Sequence, residues 1–230
     1  MPPIEQGSSF ASSLKERLLA LIPVRKRFDP STISDPIAQQ IAWTPAKPGG
    51  ASFRTHKLVE IDANRLEFKP TVGARLFYLV FIVAGTIAVV AFATKNMASL
   101  LTSFSFSNIL PIFFGFIFVA AGSFMWYFGT APIVFDKYKE CFWKGRKGPD
   151  EVANTNELKN FASLPDIYAL QIISELCTAK DSSYYSYELN LVLTNGRRIN
   201  VVDHGNIKCL RVDAQTLSQF LGKPLWDAVL

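Results

Sequence analysis

LFYLVFIVAGTIAVVAFAT (residues 76–94) and ILPIFFGFIFVAAGSFMWYF (residues 109–128) contain no charged side chain. A helix rises about 1.5 Å per residue, so each stretch is long enough to cross a hydrocarbon core of about 30 Å. A soluble domain also buries apolar helices. Two of spanning length, separated only by residues 95–108, are hard to bury in a 230-residue chain. The flanking rings point the same way. Tyr78 lies at the start of the first stretch, and Trp126 and Tyr127 at the end of the second, where amphipathic aromatics favour the headgroup level. The sequence predicts a two-helix transmembrane hairpin.

Basic residues orient it. Arg65, Lys69 and Arg75 precede the first stretch, and Lys137, Lys139, Lys144, Arg146 and Lys147 follow the second. Only Lys95 lies between. Lys and Arg collect on the cytoplasmic side of short loops, which predicts a multi-pass protein of the inner (plasma) membrane with both termini cytoplasmic. The opening MPPIEQGSSF lacks the basic and apolar regions of a cleaved signal. Cys141, Cys177 and Cys209 then fall on the cytosolic side, with no spacing that suggests a disulfide framework or a metal site.

The net charge of +5 is uneven. Residues 1–75 hold 11 basic and 7 acidic side chains, and residues 131–230 hold 12 of each. A nucleic-acid binder shows a basic stripe on its folded domain, so no nucleic-acid partner is expected. Attraction to anionic lipids accounts for the excess beside the membrane. Inside the two stretches the polar side chains are Thr86 and Ser123, too little for an ion or proton path without partner subunits. Ala84, Gly85, Ala88, Gly115, Ala121 and Gly122 supply small surfaces that let two helices approach. They are read as hairpin packing, with a dimer contact as the alternative.

Residues 10–22 (FASSLKERLLALI) form an amphipathic helical pattern, stopped by Pro23 and followed by Arg25, Lys26 and Arg27. That pattern suits an interfacial membrane helix, or a helix docked on a partner or on the domain. Residues 28–52 are rich in Pro, Ser and Gly and read as a flexible tether, completing a first segment of residues 1–52. Trp43 stands in it as a single aromatic anchor. Residues 53–61 and 65–69 flank Asp62-Ala63-Asn64 as a β-hairpin (segment 53–70), leading into the hairpin segment 71–130. After it, residues 131–135 and 140–143 suggest another hairpin. Tyr185, Tyr187, Leu189, Leu191 and Leu193 then alternate up to Asn195-Gly196, a turn whose two residues are expected at positive φ. Residues 207–221 read as an amphipathic helix, capped by Asn206 or Asp203 and ended by Gly222 and Pro224.

Antiparallel strands closed by one amphipathic helix make the layout of a pleckstrin-homology (PH)-like barrel. The carrying segments are PIVFDKYKECFWKG (132–145), LPDIYALQII (164–173), YELNLVLTNGRRINVV (187–202) and DAQTLSQFLGKPLW (213–226). Over roughly residues 131–230 the chain resembles bacterial membrane proteins that join a transmembrane helical hairpin to a PH-like cytoplasmic domain. The resemblance implies a membrane α+β fold, with a mostly antiparallel β domain closed by the C-terminal helix. The extra hairpin at 53–70 departs from that pattern, and either forms its own sheet or completes the barrel.

No catalytic or cofactor signature is present. Walker A, GxGxxG, GxSxG and HExxH patterns are all missing. Asp203-His204 reads as a turn, with His204 packed or solvent-facing, and His56 as exposed on an edge strand. Asp136, Glu140, Glu188 and Asp203 read as single carboxylates without a pair. Arg25, Lys26, Arg27, Arg146, Lys147, Arg197 and Arg198 are the candidate contacts to lipid or partner; for Arg146, Lys147, Arg197 and Arg198 solvated charge is the commoner reading. The expected function is a membrane-anchored binding or scaffold module, not an enzyme, that recruits another protein or a second copy at the cytoplasmic face. Its rivals are an accessory subunit of a transport or secretion complex and an anionic-lipid headgroup sensor.

Overall fold

The computed structural model describes residues 28–95, 106–178 and 182–229. The amphipathic pattern at 10–22 and the basic trio Arg25, Lys26 and Arg27 lie outside the described residues, as does most of the segment between the two apolar stretches.

Alternating apolar positions build two antiparallel sheets, one of which gains a parallel edge strand. The first holds five strands in sequence order: β1 (His56–Asp62), β2 (Arg65–Pro70), β3 (Ile133–Asp136), β4 (Cys141–Lys144) and β5 (Phe161–Ser163). The second has the order β8-β7-β6-β9, from β6 (Ile167–Thr178), β7 (Ser183–Leu193), β8 (Arg198–His204) and β9 (Leu225–Asp227), with β9 parallel to β6. Leu66, Phe68, Phe135 and Phe142 from the first sheet meet Leu170, Ile172, Leu189 and Leu191 from the second. Each of these side chains gains about 1.5–3 kcal/mol from full burial.

Among the described residues four α-helices complete the fold: α1 (Pro36–Gln40), α2 (Val72–Lys95), α3 (Phe106–Gly129) and α4 (Ile207–Leu221). The last matches the sequence reading. Asn206 caps it through the Cys209 amide, Gly222 ends it, and Leu210, Ala214 and Leu217 are buried in the core. Helices α2 and α3 have mean hydropathies of 2.6 and 2.0, α3 over Ile109–Gly129. In both, 11% of the most apolar window is buried. Neither is a core helix of the β domain. They pack against each other as an antiparallel pair, and each is long and apolar enough to cross a membrane.

The hairpin at 53–70 does not stand apart. Leu66 pairs with Phe135 and Phe68 with Ile133, so the helical pair is an insertion between two hydrogen-bonded neighbours, β2 and β3. At the Asn-Gly turn the expected pair of positive φ values is not found. Only Gly196 is left-handed, at φ 78. Its amide donates to the Leu193 carbonyl and the Leu193 amide to that of Arg197, the three-residue hairpin loop that places glycine third.

Composition also misled at residues 28–52. Rather than a loose tether, the described part is an extended strap across the outer face of the β6–β8 sheet. Tyr168 donates to Asp35 at 2.7 Å, Gln171 to the Ala42 carbonyl at 3.2 Å and Tyr184 to the Gly50 carbonyl at 2.9 Å. The Gly205 amide donates to the Phe53 carbonyl at 3.1 Å. Ala38 and Ile41 bury against Ala169, Val192 and Trp226, and Trp43 packs onto that cluster, its ring 6.2 Å from that of Trp226. Proline and glycine cost the strap no ladder bonds, because side chains of the sheet satisfy its backbone.

Candidate functional site

Two regions concentrate polar chemistry: the layer beneath the strap, and the elbow where the helical pair leaves the sheet.

Beneath the strap, Glu188 of β7 and Asp203 of β8 are direct cross-strand partners. This corrects the reading of both as single carboxylates. A register irregularity causes the pairing: Leu189 faces Val202 while Asn190 faces Asn200, leaving Val201 as the extra residue. Residues three apart on a regular strand point to opposite faces, and a bulge between them restores the same face. Asn200 and Asp203 thus both turn towards Glu188, and the Asn200 amide donates to each carboxylate at 2.8 Å. Glu188 also accepts from the strap amides of Ala46 at 2.8 Å and Lys47 at 3.0 Å.

Lys144 enters this layer from the end of β4. Its ammonium donates to Asn200 Oδ1 at 3.0 Å and to the Val201 carbonyl at 2.7 Å. It is therefore not a membrane-facing charge. Burial pushes the Lys144 pKa down to about 8, against the pull of the Asp203 carboxylate. Burial, with Glu188 as like-charged neighbour, pushes Asp203 up to about 6.

The histidines lie close by, and neither is exposed as an edge residue would be. His204 has no accessible surface, and its Nδ1 accepts the Asn206 amide at 3.2 Å, which places the proton on Nε2. Nε2 has no hydrogen-bond partner among the described residues. His56 is half-buried at the start of β1, correcting the expectation of a simply exposed ring. Burial, then a neighbouring cation (Lys144 for His56, Arg54 for His204), holds each imidazole near pKa 4. Among the described residues no three His, Cys, Asp or Glu side chains converge as a metal site.

At the elbow the Arg146 guanidinium donates to the Tyr127 carbonyl at 2.9 Å and to Thr130 Oγ1 at 2.8 Å. Phe53 packs on Phe77 from the strap side, with ring centres 5.5 Å apart. Tyr78 lies so close to Gly129 that a Cβ there would meet its hydroxyl at 2.5 Å and its ring at 2.7 Å. On the outer face of the first sheet, Glu67, Lys69, Arg75, Trp126 and Thr130 line a crevice of about 330 Å³.

The four candidate contact residues that lie among the described ones, Arg146, Lys147, Arg197 and Arg198, do not form one patch. Arg146 clamps the elbow, and Lys147 is exposed beside it. Arg197 is exposed at the Gly196 turn and reaches the Phe161 carbonyl at 3.4 Å. Arg198 holds the strap, donating to the Thr44 carbonyl at 2.8 Å. Sequence reasoning missed Glu188, Asn200, Asp203 and Lys144 as a group, because only the bulge brings them to one face. Comparison with known protein families, curated proteins and solved structures finds no match.

Proposed function

We propose that the chain is a membrane-anchored binding module: a PH-like head held at the cytoplasmic face of an inner membrane by a transmembrane hairpin, recruiting or organising another protein. The observation that carries this reading is the splice itself. Helices α2 and α3 replace the turn between the paired strands β2 and β3, with Thr71 alone between Pro70 and Val72. Such a head keeps one pose relative to the helices, which suits presentation of a surface and not a search on a long leash. Two sheets closed by the amphipathic helix α4 support the PH-like description, and the basic residues flanking both helices support cytoplasmic termini.

A binding role also fits the polar layer. The arrangement nearest to a catalytic constellation, Lys144 with Glu188 and Asp203, is roofed by the strap and saturated by internal hydrogen bonds. Recruitment by strand addition is disfavoured at the two longer edges. Lys144 and Thr55 occupy carbonyls along β8, and Arg54, paired with Asp213 of α4, donates to the His56 carbonyl of β1. The exposed side chains Tyr138 (81%) and Val212 (66%) mark better contact surface.

One feature favours the accessory-subunit reading. Ala84, Gly85, Ala88, Pro111, Phe114 and Gly115 line an apolar groove of about 330 Å³ between the helices. A photocrosslinking residue at Tyr138 or Val212, and separately at Ala88 or Phe114, divides the readings in native membranes. A stoichiometric partner captured from the head positions supports the binding module. Capture of a membrane protein from the groove alone moves the role to subunit. Failure of alkaline carbonate to keep the protein with the membrane would sink both.

A further inference from the structure

We propose that the elbow crevice binds the phosphate of an anionic lipid headgroup. This goes beyond the binding-module reading but rests on its membrane placement. The crevice is lined by Glu67, Lys69, Arg75, Trp126, Thr130 and the Pro70 edge, at the level where both apolar helices leave the β domain. That level is fixed by composition. Below it lie 24-residue helices whose outer surfaces are apolar, and above it lies the charged sheet face.

Three observations select an anion as the occupant. The first is Arg75, an exposed residue in the first turn of α2, whose guanidinium makes no hydrogen bond or ion pair with another described residue. A cation there opposes the helix dipole, so the helix itself gains nothing from it. The second is the charge count on the lining. Glu67 is its one carboxylate among the described residues and is already held by Arg65 at 2.7 Å, with Lys69 at 3.5 Å. A phosphate between Lys69 and Arg75 competes only for the longer of these contacts. The third is Trp126, 37% exposed on the opposite wall, an amphipathic ring of the kind that settles among headgroups. Thr130 adds a hydroxyl, although this one already donates to the Trp126 carbonyl at 2.7 Å and accepts from Arg146.

The site differs from a headgroup pocket in the β domain. The cations there, Lys144 and Arg198, are consumed by internal carbonyls and amides. Lys69 and Arg75 instead sit where a lipid phosphate passes without leaving its bilayer plane. The splice between β2 and β3 fixes both to the same rigid junction, so a bound lipid would tie head and hairpin together.

Full-length protein in nanodiscs of phosphatidylcholine with graded phosphatidylglycerol, read by native mass spectrometry of the lipid retained on release, tests this. Each cation near an anionic surface contributes about a factor of five. The double variant Lys69→Gln/Arg75→Gln should therefore retain phosphatidylglycerol about 25-fold more weakly, while Arg75→Lys keeps most of the binding. Lys137→Gln, an exposed cation in the β3–β4 turn at the end of the sheet away from the helices, should match the parent. Equal retention by the double variant, or equal retention of phosphatidylcholine, overturns the proposal and leaves the membrane reading intact. Displacement of the lipid by millimolar inorganic phosphate would also overturn it, by making the site one for a soluble anion. Failure of the chain to enter the nanodisc overturns both, and is seen before any lipid is counted.

Discussion

The Arg146 guanidinium lies 4.5 Å from the centre of the Tyr127 ring while donating to the Tyr127 carbonyl at 2.9 Å. One side chain of the loop after β4 thus satisfies a terminal carbonyl of α3 and stacks on the same residue. An exposed cation–π contact contributes about 0.5–1 kcal/mol. Arg146→Ala should speed amide exchange at Thr130 and Ala131 several-fold, with little change in global unfolding. Arg146→Lys should recover only part, because an ammonium cannot both stack and fork its donors. Unchanged exchange in Arg146→Ala would show that the elbow holds without this contact.

Glu188 ties the strap to the sheet. Its carboxylate accepts from Ala46, Lys47 and Asn200. Glu188→Ala leaves those donors without their acceptor and Lys144 with one fewer anion, for a cost of about 2–4 kcal/mol. The strap should loosen first. Limited proteolysis near residues 44–50 and a denaturation midpoint provide the check; an unmoved midpoint with intact protection would refute the assignment.

The buried titrating groups pull in opposite directions. His56 and His204, held near pKa 4 by burial, contribute stability that is complete above their unfolded value of 6.5 and lost as pH falls through 4. Asp203, raised to about 6 from 3.8, contributes stability complete below 3.8 and lost as pH rises through 6. Lys144, lowered to about 8, gives its contribution only at alkaline pH, outside this window. Burial raises Asp213 as well, with the same sign as Asp203; the two histidines shift further, so unfolding free energy should drop by about 1–3 kcal/mol from pH 6.5 to 4. His204→Gln should flatten that slope whatever it does to stability at neutral pH. A slope unchanged in this variant would mean that His204 titrates normally.

The helical pair depends on close backbone approach. A Cβ on Gly85 would lie 2.6 Å from the Gly115 carbonyl oxygen and 2.8 Å from the Val119 amide nitrogen. Neither is the movable end of a side chain, so Gly85→Val must separate the helices. A short crosslinker between cysteines replacing Phe81 and Phe118, whose rings stack 5.9 Å apart across the helical pair, should lose most of its yield when Gly85→Val is added. Gly73→Val, with open space around it, should leave that yield unchanged. Full yield in Gly85→Val would argue against this packing.

Local rules made several elements legible. Charge-free runs gave the two long helices, and Asn206, the 3.6-residue apolar pattern and Gly222 bounded α4 at both ends. The Asp62–Asn64 turn and its strands were readable because alternation and turn chemistry act within a few residues. The strap was not, since Pro- and Gly-rich composition says only that a segment will not form a ladder. Whether Asp35, Ala46 and Phe53 find partners depends on Tyr168, Glu188 and Gly205, more than a hundred positions away. Lys144 looked like one more basic residue beside the membrane, because its place at the end of β4 beside the β8 bulge is invisible without the two sheets.

Sequence alone determined that this chain carries two helices fit to cross a membrane and a β-rich domain ended by an amphipathic helix. Those properties are sums over neighbouring residues, set by hydrophobicity, period and caps. Only the tertiary structure decided that the helices are spliced between β2 and β3, that Glu188 faces Asp203, and that Lys69, Arg75 and Trp126 line one crevice. Each of these follows from register between distant strands, where one inserted residue such as Val201 turns a side chain from one face to the other.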